Sequence, residues 1–144
     1  MKKLSIAVFI LSLLGVAISS YSLSLHTQDS STFCNISATF NCDIVNKGVY
    51  SEIGGIPVAL FGIIGYAVLA VGSLLMTRKK VWFTLTLIAG LIGFVFALYL
   101  TSIEVFTLKT YCIVCLSSQA VILLIMIVLI VFYRRFVRQQ VSHT

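Results

Sequence analysis

The chain has 144 residues, 60% of them hydrophobic and only 10% charged, and carries a net charge of +6. That balance excludes an ordinary soluble domain, which needs a more polar surface. The basic excess is not gathered into a polar domain, so nothing here fits a nucleic-acid partner.

The first uncharged run, Leu4 to Leu25, follows Lys2 and Lys3. It is longer than the apolar part of a signal peptide and no A-x-A cleavage pattern comes after it, so it reads as a retained helix. A polar stretch, Thr27 to Gly55, follows and is rich in turn formers such as Asn35, Asn41, Asn46 and Gly48. A short surface helix is expected within it, near Ile44 to Ile53. The second run, Ile56 to Thr77, opens on Gly-Gly-Ile-Pro, with Pro57 in its first turn, where a missing N–H costs least. Gly62, Gly65 and Gly72 share one face of it. Gly90, Gly93 and Ala97 do the same on the third run, Val81 to Ile103, and such small faces let membrane helices approach closely. A short loop, Glu104 to Tyr111, leads to the fourth run, Cys112 to Tyr133.

About 20 helical residues cross the hydrocarbon core, and the runs lack the alternation of barrel strands. The expectation is an all-α membrane protein: one domain, residues 1–144, forming a four-transmembrane-helix bundle with helices near 4–25, 56–77, 81–103 and 112–133. Lys2, Lys3, Arg78, Lys79, Lys80, Arg134, Arg135 and Arg138 flank one side of these helices, against Lys47 and Lys109 on the other. Basic residues stay inside. The chain is therefore expected in the cytoplasmic membrane as a multi-pass protein with both termini cytoplasmic and the loop extracytoplasmic.

All four cysteines fall on the loop side. Cys34 and Cys42 lie in the loop, and Cys112-Ile-Val-Cys115 opens the last helix. Free N–H groups and the helix dipole favour a thiolate there. Cys115 lies about one turn deeper than Cys112, roughly 4.5 Å along the axis. Cys112 is thus placed to meet a loop cysteine while Cys115 faces a lipid-soluble acceptor. Two dithiols so arranged form a two-station electron relay, suited to a quinone-coupled thiol oxidoreductase. The alternatives are a non-enzymatic scaffold with a structural Cys34–Cys42 disulfide and a Cys-ligated metal-binding membrane protein. The seven residues between Cys34 and Cys42 are wide for a zinc half-site, so no metal ligand is assigned.

Tyr111-Cys112-Ile-Val-Cys115, together with the run from Cys42 through Ser51, Gly55, Pro57, Gly62 and Gly65 to Tyr66, resembles the prokaryotic members of the vitamin K epoxide reductase family. The loop pair, the serine before helix two, the G-I-P-V segment and the terminal C-x-x-C occur in family order across nearly the whole chain. The resemblance implies a four-helix bundle around a quinone, ubiquinone or menaquinone, capped by the extracytoplasmic loop between helices one and two. It implies that Cys34 and Cys42 take electrons from a secreted thioredoxin-fold (DsbA-like) protein, supporting disulfide formation. Cys112 would exchange with a loop cysteine, Cys34, and Cys115 would pass the electrons to the quinone. Ser51 corresponds to a serine that places the cap; its simpler reading is a helix-capping serine. Two positions depart from the animal members. Gln119 stands where they have Tyr, and Val58 where they have Asn, both associated with the quinone head group there. Gln119 is retained as a cofactor-binding candidate, and plain quinone reduction is favoured over epoxide reduction. Other prokaryotic members carry a fused thioredoxin-like domain; with the chain ending at Thr144, the partner is expected to be a separate polypeptide. A second family of four-helix quinone-linked oxidases has its C-x-x-C in the first outer loop, unlike this chain.

Overall fold

The structure, a computed structural model, describes residues 2–27, 37 and 39–141. Its elements are α1 (Lys2–Thr27), a short helix α2 (Cys42–Asn46), a 3-10 turn (Val49–Ser51), strands β1 (Glu52–Ile53) and β2 (Ile56–Pro57), then α3 (Val58–Leu75), α4 (Lys80–Ile103), a π-helical turn (Glu104–Leu108) and α5 (Ile113–Val141). The spans Lys2–Thr27, Val58–Leu75, Lys80–Leu108 and Ile113–Arg138 are long and apolar enough to cross a membrane. They are the four helices expected, arranged as a ring in which α1 meets α3 and α5, and α4 meets α3 and α5.

The bundle is built for lipid. Ile10, Ile64, Ile92 and Ile127 stand exposed on the outer faces, while α1 turns Ser5, Ser12, Gly15, Ser19 and Ser22 inward. Hydrocarbon gives apolar side chains no reason to hide, so close packing of small faces holds the helices. Gly15 lies flat against the Tyr66 ring, where any Cβ would collide with it. Gly62 meets Ser19 of α1, but Gly72 meets Thr86 of α4, so the small face of α3 serves two neighbours. The inward hydroxyls find acceptors: Ser12 Oγ donates to Val8 O at 2.8 Å, and Thr86 Oγ1 to Trp82 O at 2.8 Å. Phe83 and Phe132 stack at 5.0 Å near the basic end.

The structure corrects three boundaries. The surface helix runs Cys42–Asn46 rather than around Ile44 to Ile53, because Asn41 caps it: its Oδ1 accepts from the N–H groups of Asp43 and Ile44 at 3.0 and 3.3 Å. Beyond it, β1 and β2 form a two-residue hairpin whose turn, Gly54-Gly55, has φ of +62° and +81°; this is the geometry glycine alone adopts without strain. Pro57 therefore stands just before α3 rather than inside its first turn. The third correction concerns Glu104, expected in a loop. Residues Glu104–Leu108 continue the helix and Glu104 is 4% exposed. Its charge read as a membrane exit; a hydrogen bond described below keeps it inside. The turn stops at Lys109, whose left-handed φ of 49° no helix can continue.

Candidate functional site

The cysteines are brought together by backbone. Phe40 and Tyr111 form an isolated parallel bridge: Asn41 N–H donates to Tyr111 O at 3.2 Å, and Tyr111 N–H to Thr39 O at 2.8 Å. The two rings also pack, 5.9 Å apart. The chain leaves this bridge directly into α2 on one side and α5 on the other. Cys42, first residue of α2, and Cys112, just before α5, are thus forced side by side, with sulfurs 3.1 Å apart. Both are fully buried and form a small cluster with Leu25.

Cys42 is disulfide-bonded, while Cys112 and Cys115 are free thiols. Cys34 lies outside the described residues. The resemblance gave the contact with Cys112 to Cys34; the sulfur that touches it here is that of Cys42. With Cys42 in a disulfide, it has no thiolate to offer a metal in this state.

Cys112 occupies the cap position of α5. Its Sγ accepts the Cys115 N–H at 3.4 Å, and its carbonyl accepts the Leu116 N–H at 2.9 Å. A sulfur thus does what a cap oxygen does, satisfying an orphan donor of the first turn. A second donor, Asn46 Nδ2, approaches the same sulfur at 3.7 Å. The Cys112 thiol is held below its ordinary range, chiefly because the Cys115 thiol donates to it; burial and the nearby Glu104 charge oppose this in part, and the backbone N–H groups of Val114 and Cys115 add to it. The Cys112 N–H in turn donates to Glu104 Oε2 at 3.3 Å, the bond that keeps this carboxyl inside the bundle.

Cys115, beside Cys112 on one side, also lines a cavity of about 170 Å³ between the four helices. Phe61 of α3 and Phe96 of α4 line it, with ring centroids 6.3 Å apart. Ser51, Val58, Glu104 and Gln119 also line it. The Ser51 hydroxyl donates to Gly48 O at 2.7 Å, closing its own turn as a local cap does. Tyr66 Oη donates to Ser118 O at 2.8 Å and lies 2.9 Å from Ser118 Oγ, fixing the wall one turn below Cys115. Gln119 Oε1 is buried without a hydrogen-bond partner among the described residues. The lid of the cavity is stitched through His26. Its Nδ1 donates to Asn46 O at 2.5 Å, and its Nε2 meets Glu52 Oε1 at 3.1 Å, tying α1 to α2 and the hairpin.

Sequence reasoning named the cysteines, Ser51 and Gln119. It missed Asn46, Glu104, Tyr66 and the structural use of His26. Glu104 did carry a signal: it is an acid flanked by apolar residues at the end of a span, and ionisable groups at membrane depth are rarely idle. Asn46 carried a weaker one, lying four residues after Cys42 and so on the same face of a short helix.

The chain matches the vitamin K epoxide reductase family over residues 6–130. No curated protein matches it. The family is one of membrane thiol oxidoreductases, quinone-linked in general. A bundle of four apolar spans with a C-x-x-C opening the last of them fits that family's architecture, and the chain belongs to the vitamin K epoxide reductase family.

Proposed function

We propose that the protein passes electrons from an extracytoplasmic thioredoxin-fold thiol carrier, through Cys34 and Cys42 and then Cys112 and Cys115, to a membrane quinone. The observation that carries this reading is the placement of one C-x-x-C between two different surroundings. Cys112 meets Cys42 sulfur to sulfur at 3.1 Å, and Cys115 opens on the cavity.

The steps balance as thiol–disulfide exchange. The carrier reduces the loop pair and leaves as a disulfide. The Cys42 thiolate then attacks Cys112 Sγ of a Cys112–Cys115 disulfide, forming Cys42–Cys112 and releasing the Cys115 thiolate. Cys34 attacks Cys42, closing the loop disulfide and releasing Cys112. A Cys42 that is oxidised beside two free thiols supports such a last stage.

A quinone in the cavity would accept two electrons and two protons as the C-x-x-C closes again. The residues fit such a ring. A cavity of about 170 Å³ is of the size that takes a single aromatic ring, and Phe61 and Phe96 offer faces to pack on it. The unpartnered Gln119 Oε1 would accept from a hydroxyl of the reduced ring, the quinol. Cys115 would stand at its edge as electron donor. The basic ends of the helices support an orientation with the termini inside and the cysteines outside.

Purified protein supplied with a reduced thioredoxin-fold dithiol should reduce ubiquinone or menaquinone analogues, and Cys115→Ala should abolish this. Normal turnover in Cys115→Ala overturns the relay.

A further inference from the structure

Asn46 is buried, and its side chain is held at both ends. Ser22 Oγ of α1 donates to Oδ1 at 2.8 Å, which leaves the amide N–H groups for other partners. One of them points at Cys112 Sγ, 3.7 Å away. The backbone carbonyl of Asn46 is fixed separately by His26. Four residues earlier on the same short helix, Cys42 presents its sulfur to the same Cys112 Sγ at 3.1 Å. One face of α2 therefore carries both the sulfur that exchanges with Cys112 and an oriented neutral donor beside it.

The step that needs such a donor is the breaking of the Cys42–Cys112 bond. When a thiolate attacks Cys42 Sγ, a new S–S bond forms there, the Cys42–Cys112 bond breaks, and its electron pair stays on Cys112 Sγ. That negative charge appears on a fully buried sulfur, where burial penalises it. A fixed amide dipole aimed at the place where charge develops lowers the barrier without reorganising. It also favours attack at Cys42 over attack at Cys112, because the better leaving sulfur is the one whose charge is solvated by donors.

We propose that Asn46 is a catalytic donor to Cys112: its side-chain amide, oriented by Ser22, stabilises the Cys112 thiolate as it leaves Cys42 and so directs incoming thiols to Cys42. The proposal rests on the exchange reading given above and adds to it a residue and a direction.

The test starts from full-length protein carrying Cys34→Ala and Cys115→Ala, oxidised so that Cys42–Cys112 is the one disulfide available. A small soluble thiol is added, and mass spectrometry reads both the rate of opening and which cysteine carries the added thiol. With Asn46 in place, the thiol is expected on Cys42. Asn46→Leu should slow release of Cys112 about tenfold, the scale of one hydrogen bond to a charged group. Asn46→Asp keeps the shape and the Ser22 bond but replaces the donor with an acceptor, so it should be slower still. Ser22→Ala, which frees the amide to turn, should lie between Asn46→Leu and the parent. A merely structural asparagine predicts instead that Asn46→Asp behaves as the parent does, and equal rates with equal choice of cysteine overturn the proposal. Should Asn46→Leu fail to fold, the Asp variant decides alone. If Cys42–Cys112 never forms in the parent, the exchange reading itself fails and this proposal falls with it; if it forms and opens at rates indifferent to Asn46, only the proposal falls.

Discussion

At the scale of single residues, two buried groups have opposite needs. Glu104 Oε2 accepts the Cys112 N–H, so Glu104→Ala strands a buried donor and should destabilise the protein by about 1–3 kcal/mol, whereas Glu104→Gln keeps an acceptor oxygen and should cost much less. Comparative thermal unfolding in one detergent checks this. Gln119 presents the converse case, an acceptor buried without a partner among the described residues. Gln119→Leu should raise stability in quinone-free protein by about 1 kcal/mol and yet weaken quinol binding roughly fivefold, since one neutral hydrogen bond is lost. Stability and affinity moving in the same direction would show that the amide does not face the ligand. The Cys112 thiol, held low by the Cys115 thiol, supplies a pH prediction. A depressed value means that the thiolate, and with it reaction with a small alkylating reagent, persists to lower pH than for an ordinary thiol. In reduced protein Cys115→Ala removes the main donor and should move the Cys112 profile to higher pH, while Cys115→Ser, which retains an O–H, should move it less.

At the scale of elements, the exchange geometry depends on α2, a helix of five residues that no isolated chain would keep folded. Its cap therefore matters more than its length. Asn41→Ala removes the acceptor for the Asp43 and Ile44 N–H groups and should cost about 1 kcal/mol. Because α2 carries Cys42, the loss should appear as a lower yield of Cys42–Cys112 crosslink with little change in the unfolding of the bundle. The long helices were legible in the sequence because lipid imposes length and apolarity on each span. The hairpin and the start of α2 were not, because they are set by a cap, a Gly-Gly turn and one backbone bridge to Tyr111, a contact between segments far apart in the chain. The C-x-x-C was legible as a reactive pair at a helix start. Its depth also told Cys112, toward the loop, from Cys115, toward the lipid; that the loop sulfur meeting Cys112 is that of Cys42 follows from the same long-range bridge. Glu104 was misplaced for a related reason: a carboxyl signals the end of a span unless a specific donor, here Cys112 N–H, keeps it within.

At the scale of the whole molecule, the charge distribution and the chemistry must agree on a side. Arg134, Arg135 and Arg138 extend α5 beyond its apolar run at one end, together with Lys2, Lys3 and Arg78 to Lys80; the cysteine cluster lies at the other. A membrane-impermeant thiol reagent applied to intact cells after reduction should label the loop cysteines, and labelling that requires permeabilised cells would reverse the proposed orientation. The central claim concerns the order of electron flow through the two dithiols. It is tested most directly by a single turnover: fully reduced protein is mixed with a quinone analogue, quenched at successive times and mapped for disulfides by mass spectrometry. The relay predicts that Cys112–Cys115 appears first, then Cys42–Cys112, and last the loop pair with Cys112 and Cys115 reduced again. A loop disulfide that appears while Cys112 and Cys115 have never left the thiol state would contradict it.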